Sequence, residues 1–213
     1  MDLGTPLGLG LASGINAYLP LLALALASRW FHVYTVNEHF TFITSDWCIL
    51  TLVVLTIADF IADKIPVLDH FWDATHTFVR PLAGALVAAA SSHQAPLLLT
   101  PASISGHFLN VGNTTGEIQS IGAGVLVIAI LGGILAALSH TAKTTTRFVS
   151  TITTAGVFNI LLSIGEDILV FITILLSLLL PTIMLLLVVL FVLIFGRPCL
   201  RAWMYWLRKR GGL

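Results

Sequence analysis

Residues 168–195 read ILVFITILLSLLLPTIMLLLVVLFVLIF, an uncharged run of apolar and small hydroxyl-bearing residues that contains one proline, Pro181. A membrane-spanning helix needs about 20 predominantly apolar residues, so this run can cross a bilayer with tilt or a kink. The rest of the chain is similar: of 213 residues, 57% are hydrophobic and 9% are charged, and the mean hydropathy is +1.00. Soluble domains carry about 25% charged residues. The composition excludes a soluble globular enzyme and predicts an all-α integral membrane protein.

Five further apolar runs precede this one. The six runs cover residues 7–27, 47–62, 82–99, 121–138, 152–164 and 168–195, which predicts about six transmembrane or membrane-embedded helices. Gly14, Asn16 and Pro20 interrupt the first run, and unwound backbone at membrane depth is tolerated only where it is buried or lines a cavity. Six spans also divide into two halves of opposite orientation, so a 3+3 inverted repeat with short or broken helices is an open alternative.

The basic residues predict the orientation of the chain. Apart from Arg29, they follow the second, fourth and sixth runs, at Lys64, Arg80, Lys143, Arg147 and five positions of the tail. Because Lys and Arg collect on the cytoplasmic side of a membrane, both termini are predicted to be cytoplasmic. Residues 1–196 then form a single polytopic membrane domain. Residues 197–213 form a basic and aromatic cytoplasmic tail that we expect to lie at the lipid interface.

The first candidate site stretch is rich in carboxylates. Asp59 and Asp63 are four residues apart, so they share one helix face. Lys64 follows them. Asp69, Asp73, His76 and Arg80 are then spaced by three and four residues and share the face of a second helix. An ionisable residue at membrane depth costs about 3 kcal/mol or more unless it is paired or hydrated. Asp59 lies inside an apolar run, so we expect Asp59 or Asp63 to pair with a Lys or Arg. A solvated amphipathic cytoplasmic helix is the alternative interpretation.

The second candidate stretch is basic. His140, Lys143 and Arg147 recur at spacings of three and four and therefore share one helix face. They form either a plain cytoplasmic loop or a partner for the acidic stretch, with a bound ion or headgroup between the two. Arginine offers a planar fork that suits carboxylate and phosphate groups. We therefore predict that Arg80, Lys143 and Arg147 converge on a cavity near the cytoplasmic side that holds an anionic group.

A third polar group lies in the fifth run and directly after it, and it comprises Asn159, Ser163, Glu166 and Asp167. Asn159, Ser163 and Glu166 face one way, and such residues often serve only as hydrogen-bonding contacts between helices. The predicted topology places Glu166 and Asp167 toward the outer side, as an ordinary loop or as an acidic gate. The chain contains no H-E-x-x-H, G-x-S-x-G, Walker A or CxxC motif. Asp69, Asp73 and His76 are weak candidates for a metal site, because structural pairing explains the same spacing.

Three groups of residues occur together in this chain. They are residues 62–85 (ADKIPVLDHFWDATHTFVRPLAGA), the later pattern His140, Lys143, Arg147, Asn159, Ser163, Glu166 and Asp167, and the early residues Ser13, Gly14 and Pro20. Over roughly residues 8–182 this combination resembles a bacterial membrane family known as domain of unknown function 4126. The resemblance implies a bacterial inner-membrane location and supports the site residues above, but it implies no activity. The chain departs from the family at Asp59, where the resemblance leads us to expect a glutamate.

The sequence thus predicts a small membrane transporter or channel with a polar intramembrane site for an ion, a small anionic solute or a lipid headgroup. Two alternatives stay open: a membrane-embedded enzyme acting on a lipid phosphate, and a non-catalytic accessory subunit. The expected partners are the lipid bilayer and an anionic lipid or small ion. Ten Lys and Arg balance ten Asp and Glu, so no net charge argues for a nucleic acid. The sequence identifies no cofactor, and a homo-oligomer is one open arrangement.

Overall fold

A computed structural model describes residues 2–63, 66–92, 123–154 and 158–197, apart from the side chains of residues 66–74, 154 and 159–160. All regular structure in these ranges is helical. The helices are α1 (Gly4–Ser13), α2 (Leu19–Arg29), a 3-10 helix (Glu38–Thr44), α3 (Asp46–Ala62), α4 (Pro66–Ser91), α5 (Ala123–Thr154), α6 (Asn159–Leu179) and α7 (Pro181–Phe191), which continues into a π-helical turn (Val192–Gly196). The all-helical prediction is confirmed for this part of the chain.

Two helical segments, Ala123–Thr153 and Leu161–Leu179, are long and apolar enough to cross a membrane. A third candidate span arises if the 3-10 helix and α3, which are bent by 64° relative to each other, count as one. Large apolar side chains also face outward: Leu50, Val54, Ile57 and Ile61 of α3 are each more than half exposed. Exposed apolar surface of this extent marks a membrane or an interaction surface. The membrane character is supported, and the count of six spans stays a prediction.

The first apolar run forms two short helices at the break that the sequence predicts. α1 ends at Ser13, and the buried side chain of Asn16 accepts hydrogen bonds from the backbone N–H groups of Tyr18 and Leu19 at 3.1 and 2.8 Å. Pro20 lies in the first turn of α2, where backbone N–H groups have no partner within the helix, so the missing N–H of proline costs no helical hydrogen bond. Asn16 therefore closes the break and starts the second helix.

α1 runs alongside α5 in the same direction. A Cβ added to Gly10 would lie 2.8 Å from the Cα of Gly132, and Ser139 further along α5 donates a 2.7 Å hydrogen bond to the carbonyl of Leu11. Beyond the end of α1, the carbonyl of Ile15 accepts a 3.1 Å hydrogen bond from Lys143. The break between α1 and α2 therefore lies deep along α5, at the level of Lys143.

α2 returns toward the end of the bundle at which α1 begins. Its last residue, Arg29, pairs with Asp46 at the first residue of α3 at 2.7 Å, whereas Asp63, beyond the other end of α3, contacts Lys143. α1 and α2 thus form a hairpin, which we call the α1–α2 hairpin. The first apolar run, predicted as one span over residues 7–27, therefore forms two helices that run in opposite directions, because the break at Gly14 and Asn16 reverses the chain.

The segment after α2 confirms where α1 begins. The Tyr34 hydroxyl donates a 2.6 Å hydrogen bond to the carbonyl of Ser91 at the end of α4, and Asn37 bonds to Ala90 and Ser92. Burial raises the pKa of the Tyr34 phenol, and the nearby Asp2 carboxylate raises it further. Asp2 and the end of α4 therefore lie at one end of the bundle, and the tip of the α1–α2 hairpin lies toward the other.

The bounds of the later helices differ from the apolar runs. Pro66 begins α4, in agreement with the prediction that it separates two helices. The third apolar run is predicted to start after Pro81, but α4 passes through Pro81. α5 extends to Thr154, so residues 152–164 are not a separate span. α6 begins at Asn159 and contains Glu166, and the predicted sixth run is divided at Pro181. The apolar runs do not predict the bounds of these helices correctly, because buried, paired charged residues lie within helices and do not end them.

Candidate functional site

Among the side chains that the structure describes, eight ionisable ones meet between the helices, and we call them the buried charge cluster: Asp59, Asp63, His76, Arg80, His140, Lys143, Arg147 and Glu166. Asp59 and Arg80 are 0% exposed, and the most open side chain, that of Glu166, is 15% exposed. Three members are carboxylates, three are Lys or Arg, and two are histidines. The formal charges therefore cancel when both histidines are neutral.

One half of the cluster is a network of ion pairs. Lys143 Nζ lies 2.7 Å from Asp63 Oδ2 and 3.4 Å from Glu166 Oε2, in addition to its bond to the Ile15 carbonyl. Arg147 donates from Nε and Nη2 to the two oxygens of Glu166 at 3.2 and 2.6 Å, and its Nη2 lies 3.3 Å from Asp63 Oδ2. The predicted pairing of an α3 carboxylate with a cation is confirmed at Asp63.

The other half contains an arginine–imidazole pair. Arg80 Nη1 lies 2.7 Å from His140 Nδ1, and His140 Nε2 lies 3.4 Å from the hydroxyl oxygen of Thr77. A guanidinium group carries only hydrogen-bond donors, so Nδ1 of His140 must accept. The proton of the neutral imidazole is then on Nε2, from which it can be donated to Thr77. The contact with Arg80 therefore requires a neutral His140.

A second imidazole lies next to a fully buried carboxylate. His76 Nε2 is 3.7 Å from Asp59 Oδ1, and the side chains are 2% and 0% exposed. The ring of Tyr18 meets His76 edge-on, with 5.7 Å between the ring centroids and 85° between the planes. Tyr18 lies in the break of the α1–α2 hairpin, as Ile15 does. The tip of the hairpin therefore contacts both halves of the cluster: Tyr18 contacts His76, and the Ile15 carbonyl contacts Lys143.

The sequence alone does not identify three groups that contact the buried charge cluster: Tyr18, Thr77 and the Ile15 carbonyl. Tyr18 and Ile15 carry no charge that would single them out, although both lie in the break around Asn16, which the sequence does identify. Thr77 lies one helical turn before Arg80 on α4, and its role depends entirely on the position of His140. Only the packing of α4 against α5 reveals it.

The structure brings Arg80, Lys143 and Arg147 into one buried region, but Lys143 and Arg147 are paired with carboxylates. The predicted topology places Glu166 and Arg147 on opposite sides of the membrane, whereas in the structure they bond to each other and lie at the same end of the bundle. Ser163 is buried one turn before Glu166, and Asp167 is the partly exposed next residue of α6.

The remaining predicted site residues lie outside what the structure describes. They are Lys64 and the side chains of Asp69, Asp73 and Asn159. Two of these belong to the weak metal candidate with His76, so that interpretation stays a prediction. Among the described residues, no group of three or more His, Cys, Asp or Glu side chains could hold a metal ion.

The sequence was compared with protein families, curated proteins and solved structures. A family model described as domain of unknown function (DUF4126) matches residues 3–199, which include every described member of the buried charge cluster. The comparisons with curated proteins and with solved structures found no match. The match extends over nearly the whole chain and agrees with the resemblance carried by residues 62–85. The chain therefore belongs to the DUF4126 family.

Proposed function

We propose that the protein is a small multi-pass transporter or channel of the bacterial inner membrane. The buried charge cluster is its polar intramembrane site, and the ligand is an ion or a small anionic solute. The observation that carries this proposal is the cluster itself: six Lys, Arg, Asp and Glu side chains, balanced in charge, lie inside a bundle whose outer surface is apolar.

Stability alone is a poor explanation for such a cluster. Removing charges from water has a penalty of several kcal/mol for each ion, and buried ion pairs are often no more stable than apolar residues of similar volume. Charged residues within membrane proteins instead tend to mark the paths of ions, protons and substrates. The cluster therefore favours a role in moving or binding a charged species.

The α1–α2 hairpin supports the same proposal. Its helices have 10 and 11 residues, so each is about 15–17 Å long, roughly half the apolar thickness of a bilayer. Transporters commonly place substrate and ion sites at such discontinuous helices, where unwound backbone carbonyls coordinate ligands. Here the carbonyl of Ile15, in the break, is already bonded to Lys143 of the cluster.

We expect the chain to cross the membrane with α3, α4, α5, α6 and α7, while the α1–α2 hairpin enters and leaves on one side. The segments that connect α3 with α4 and α5 with α6, and the basic tail, are then all expected on the cytoplasmic side, in agreement with the positive-inside rule. This arrangement keeps the predicted cytoplasmic C-terminus. It moves the N-terminus to the outside, because the α1–α2 hairpin begins and ends at the same end of the bundle.

Cysteine labelling in whole cells tests this topology. In a background with Cys48→Ser and Cys199→Ser, Leu3→Cys and Val33→Cys should both react with a membrane-impermeant maleimide, because both positions are exposed at the outer end. Gly211→Cys, in the basic tail, should react only after permeabilisation. Labelling of Val33→Cys without Leu3→Cys would show that the first apolar run crosses the membrane after all.

Flux into liposomes tests the function. The full-length protein, reconstituted with a panel of small inorganic ions, should accelerate the flux of at least one of them over protein-free vesicles. The charge-balanced double variant Asp63→Asn/Lys143→Gln should lower that flux at least tenfold, because it removes one negative and one positive charge from the cluster without changing its net charge. The matched control is Arg29→Gln/Asp46→Asn, which removes the half-exposed pair at the other end of α3 and should keep the flux. Equal flux in both double variants would contradict a transport role for the cluster.

A further inference from the structure

We propose that the oxygen atoms around Lys143 form a binding site for the ammonium group of a small primary amine, and that the protein exchanges this cation for the proton of Lys143. This inference rests on the proposed transport function and names its substrate class. It follows from the contacts of the Lys143 nitrogen, from a buried carboxylate oxygen beside it and from the charge balance of the exchange.

Three oxygen atoms contact the nitrogen of Lys143, whose side chain is 2% exposed. Asp63 Oδ2 lies at 2.7 Å, the Ile15 carbonyl oxygen at 3.1 Å and Glu166 Oε2 at 3.4 Å. A lysine ammonium group has three N–H donors and no acceptor, and a primary alkylammonium ion has the same donors. The oxygens come from the end of α3, the break of the α1–α2 hairpin and α6. Separate parts of the fold thus converge on one ammonium group.

The carboxylate of Asp63 offers a further acceptor. Its Oδ1 is buried and receives no hydrogen bond from any described residue, whereas its Oδ2 contacts both Lys143 and Arg147. A buried acceptor without a donor is rare in proteins and commonly marks an ordered water or an ion. An ammonium ion that takes the place of the Lys143 nitrogen has no tether to α5, so it can also donate to Oδ1.

The exchange keeps the charge of the region constant. When Lys143 gives up a proton, one N–H bond breaks, the electron pair stays on Nζ and the proton goes to water. One monovalent cation then replaces the single charge that left, whatever other charges lie nearby, including that of Lys64 outside the described residues. A divalent cation would add a charge. The route to water lies at Glu166, the most open described side chain of the cluster.

The other members of the cluster do not replace Lys143 in this role. The described titratable and charged groups on the elements around it are Tyr18, Asp59, Asp63, His76, Arg80, His140, Arg147 and Glu166. An arginine keeps its proton in proteins, whereas a lysine can lose one. Lys143 is the one lysine among the described members of the cluster. It is therefore the cation that can leave its place to another.

A binding experiment on the full-length protein in detergent tests the site. The probe is methylammonium chloride, which reproduces the end of a lysine side chain and remains a cation at pH 7 and pH 9. The control is tetramethylammonium chloride, which has the same charge but no N–H donor. The readout is the thermal unfolding midpoint as a function of salt concentration. Methylammonium should bind the wild type at least tenfold more tightly at pH 9 than at pH 7, because it competes with a proton.

Two substitutions of Lys143 should have opposite effects. Lys143→Ala removes the competing cation and leaves space, so methylammonium should bind at pH 7 at least tenfold more tightly than to the wild type. Ammonium chloride at the same pH distinguishes the free ion from an amine, since the natural source should bind more tightly. Lys143→Arg keeps a charge that cannot be given up and should abolish binding at both pH values. Arg29→Ala removes the partner of the exposed Asp46 and should leave binding as in the wild type.

The wild type decides the inference even if Lys143→Ala does not fold. Methylammonium binding that is absent at pH 9, equal at both pH values, matched by tetramethylammonium or sodium chloride, or retained in Lys143→Arg would overturn it. Flux in liposomes separates this inference from the transport function. If another ion moves but methylammonium does not bind, the inference fails while the transport function stands. If methylammonium binds as expected but no ion moves, the transport function fails while the site stands.

Discussion

Asp63→Asn should destabilise the folded protein by about 3–5 kcal/mol, the range for removing one partner of a buried ion pair. Asp63 Oδ2 contacts both Lys143 and Arg147, at 2.7 and 3.3 Å, and its side chain is 6% exposed. The substitution keeps the size of the side chain but leaves the cluster with one unbalanced positive charge. Unfolding of the full-length protein in mixed detergent micelles, followed by circular dichroism, measures the loss.

Two variants isolate the cause of this loss. The double variant Asp63→Asn/Lys143→Gln should recover at least half of the lost stability, because it restores the balance of charges. Asp46→Asn also removes an aspartate from an arginine pair, but Asp46 is 80% exposed, so the change should be about 1 kcal/mol or less. A loss of similar size at Asp46 and Asp63, or no recovery in the double variant, would show that burial of the charge is not responsible.

Gly132→Ala should destabilise the protein by about 1–3 kcal/mol, as overpacking of a filled interior does. The glycines Gly10, Gly84 and Gly132 bring α1, α4 and α5 into backbone contact. A Cβ at Gly132 would lie 2.7 Å from the carbonyl oxygen of Gly84, and a Cβ at Gly84 would lie 2.9 Å from the carbonyl oxygen of Gly132. Backbone atoms cannot move aside as a flexible side chain can, so whole helices must separate. The unfolding experiment used for Asp63 measures the effect.

The control for this substitution lies in α6. A Cβ at Gly165 would have no atom within 4 Å, so Gly165→Ala should leave the packing unchanged and stabilise the helix by roughly 0.5–1 kcal/mol. The two substitutions have opposite expected signs although both exchange a helical glycine for alanine. A stabilising Gly132→Ala would mean that α1, α4 and α5 are not in close contact.

Local patterns in the sequence predict a large part of this site. The spacing of His140, Lys143 and Arg147 places them on one face of α5, and all three are 5% exposed in the structure. The cost of an unpaired carboxylate in lipid predicts a cation next to Asp63, and Lys143 is there. The break at Asn16 is visible because glycine, asparagine and proline interrupt a helix in recognisable ways.

The direction of the chain after the break could not be predicted in the same way. Asn16 would cap a helix that continues across the membrane as well as one that turns back, and only contacts with distant residues such as Lys143 and Asp46 decide between them. The position of Glu166 could not be predicted for a related reason. Two acidic residues between two apolar runs look like a loop until Arg147, from another helix, is known to neutralise one of them.

The position of α1 has a consequence for how the chain is made. Residues 4–13 are synthesised before the helices against which α1 packs, namely α4, α5, α6 and α7, the last of which follows about 170 residues later. An early segment with glycine-rich sides and a polar break has no stable place in the bilayer until those helices arrive. The packing of the α1–α2 hairpin therefore cannot be complete before α7 has been made. Premature stop codons before α7 would leave α1 without one of the helices against which it packs.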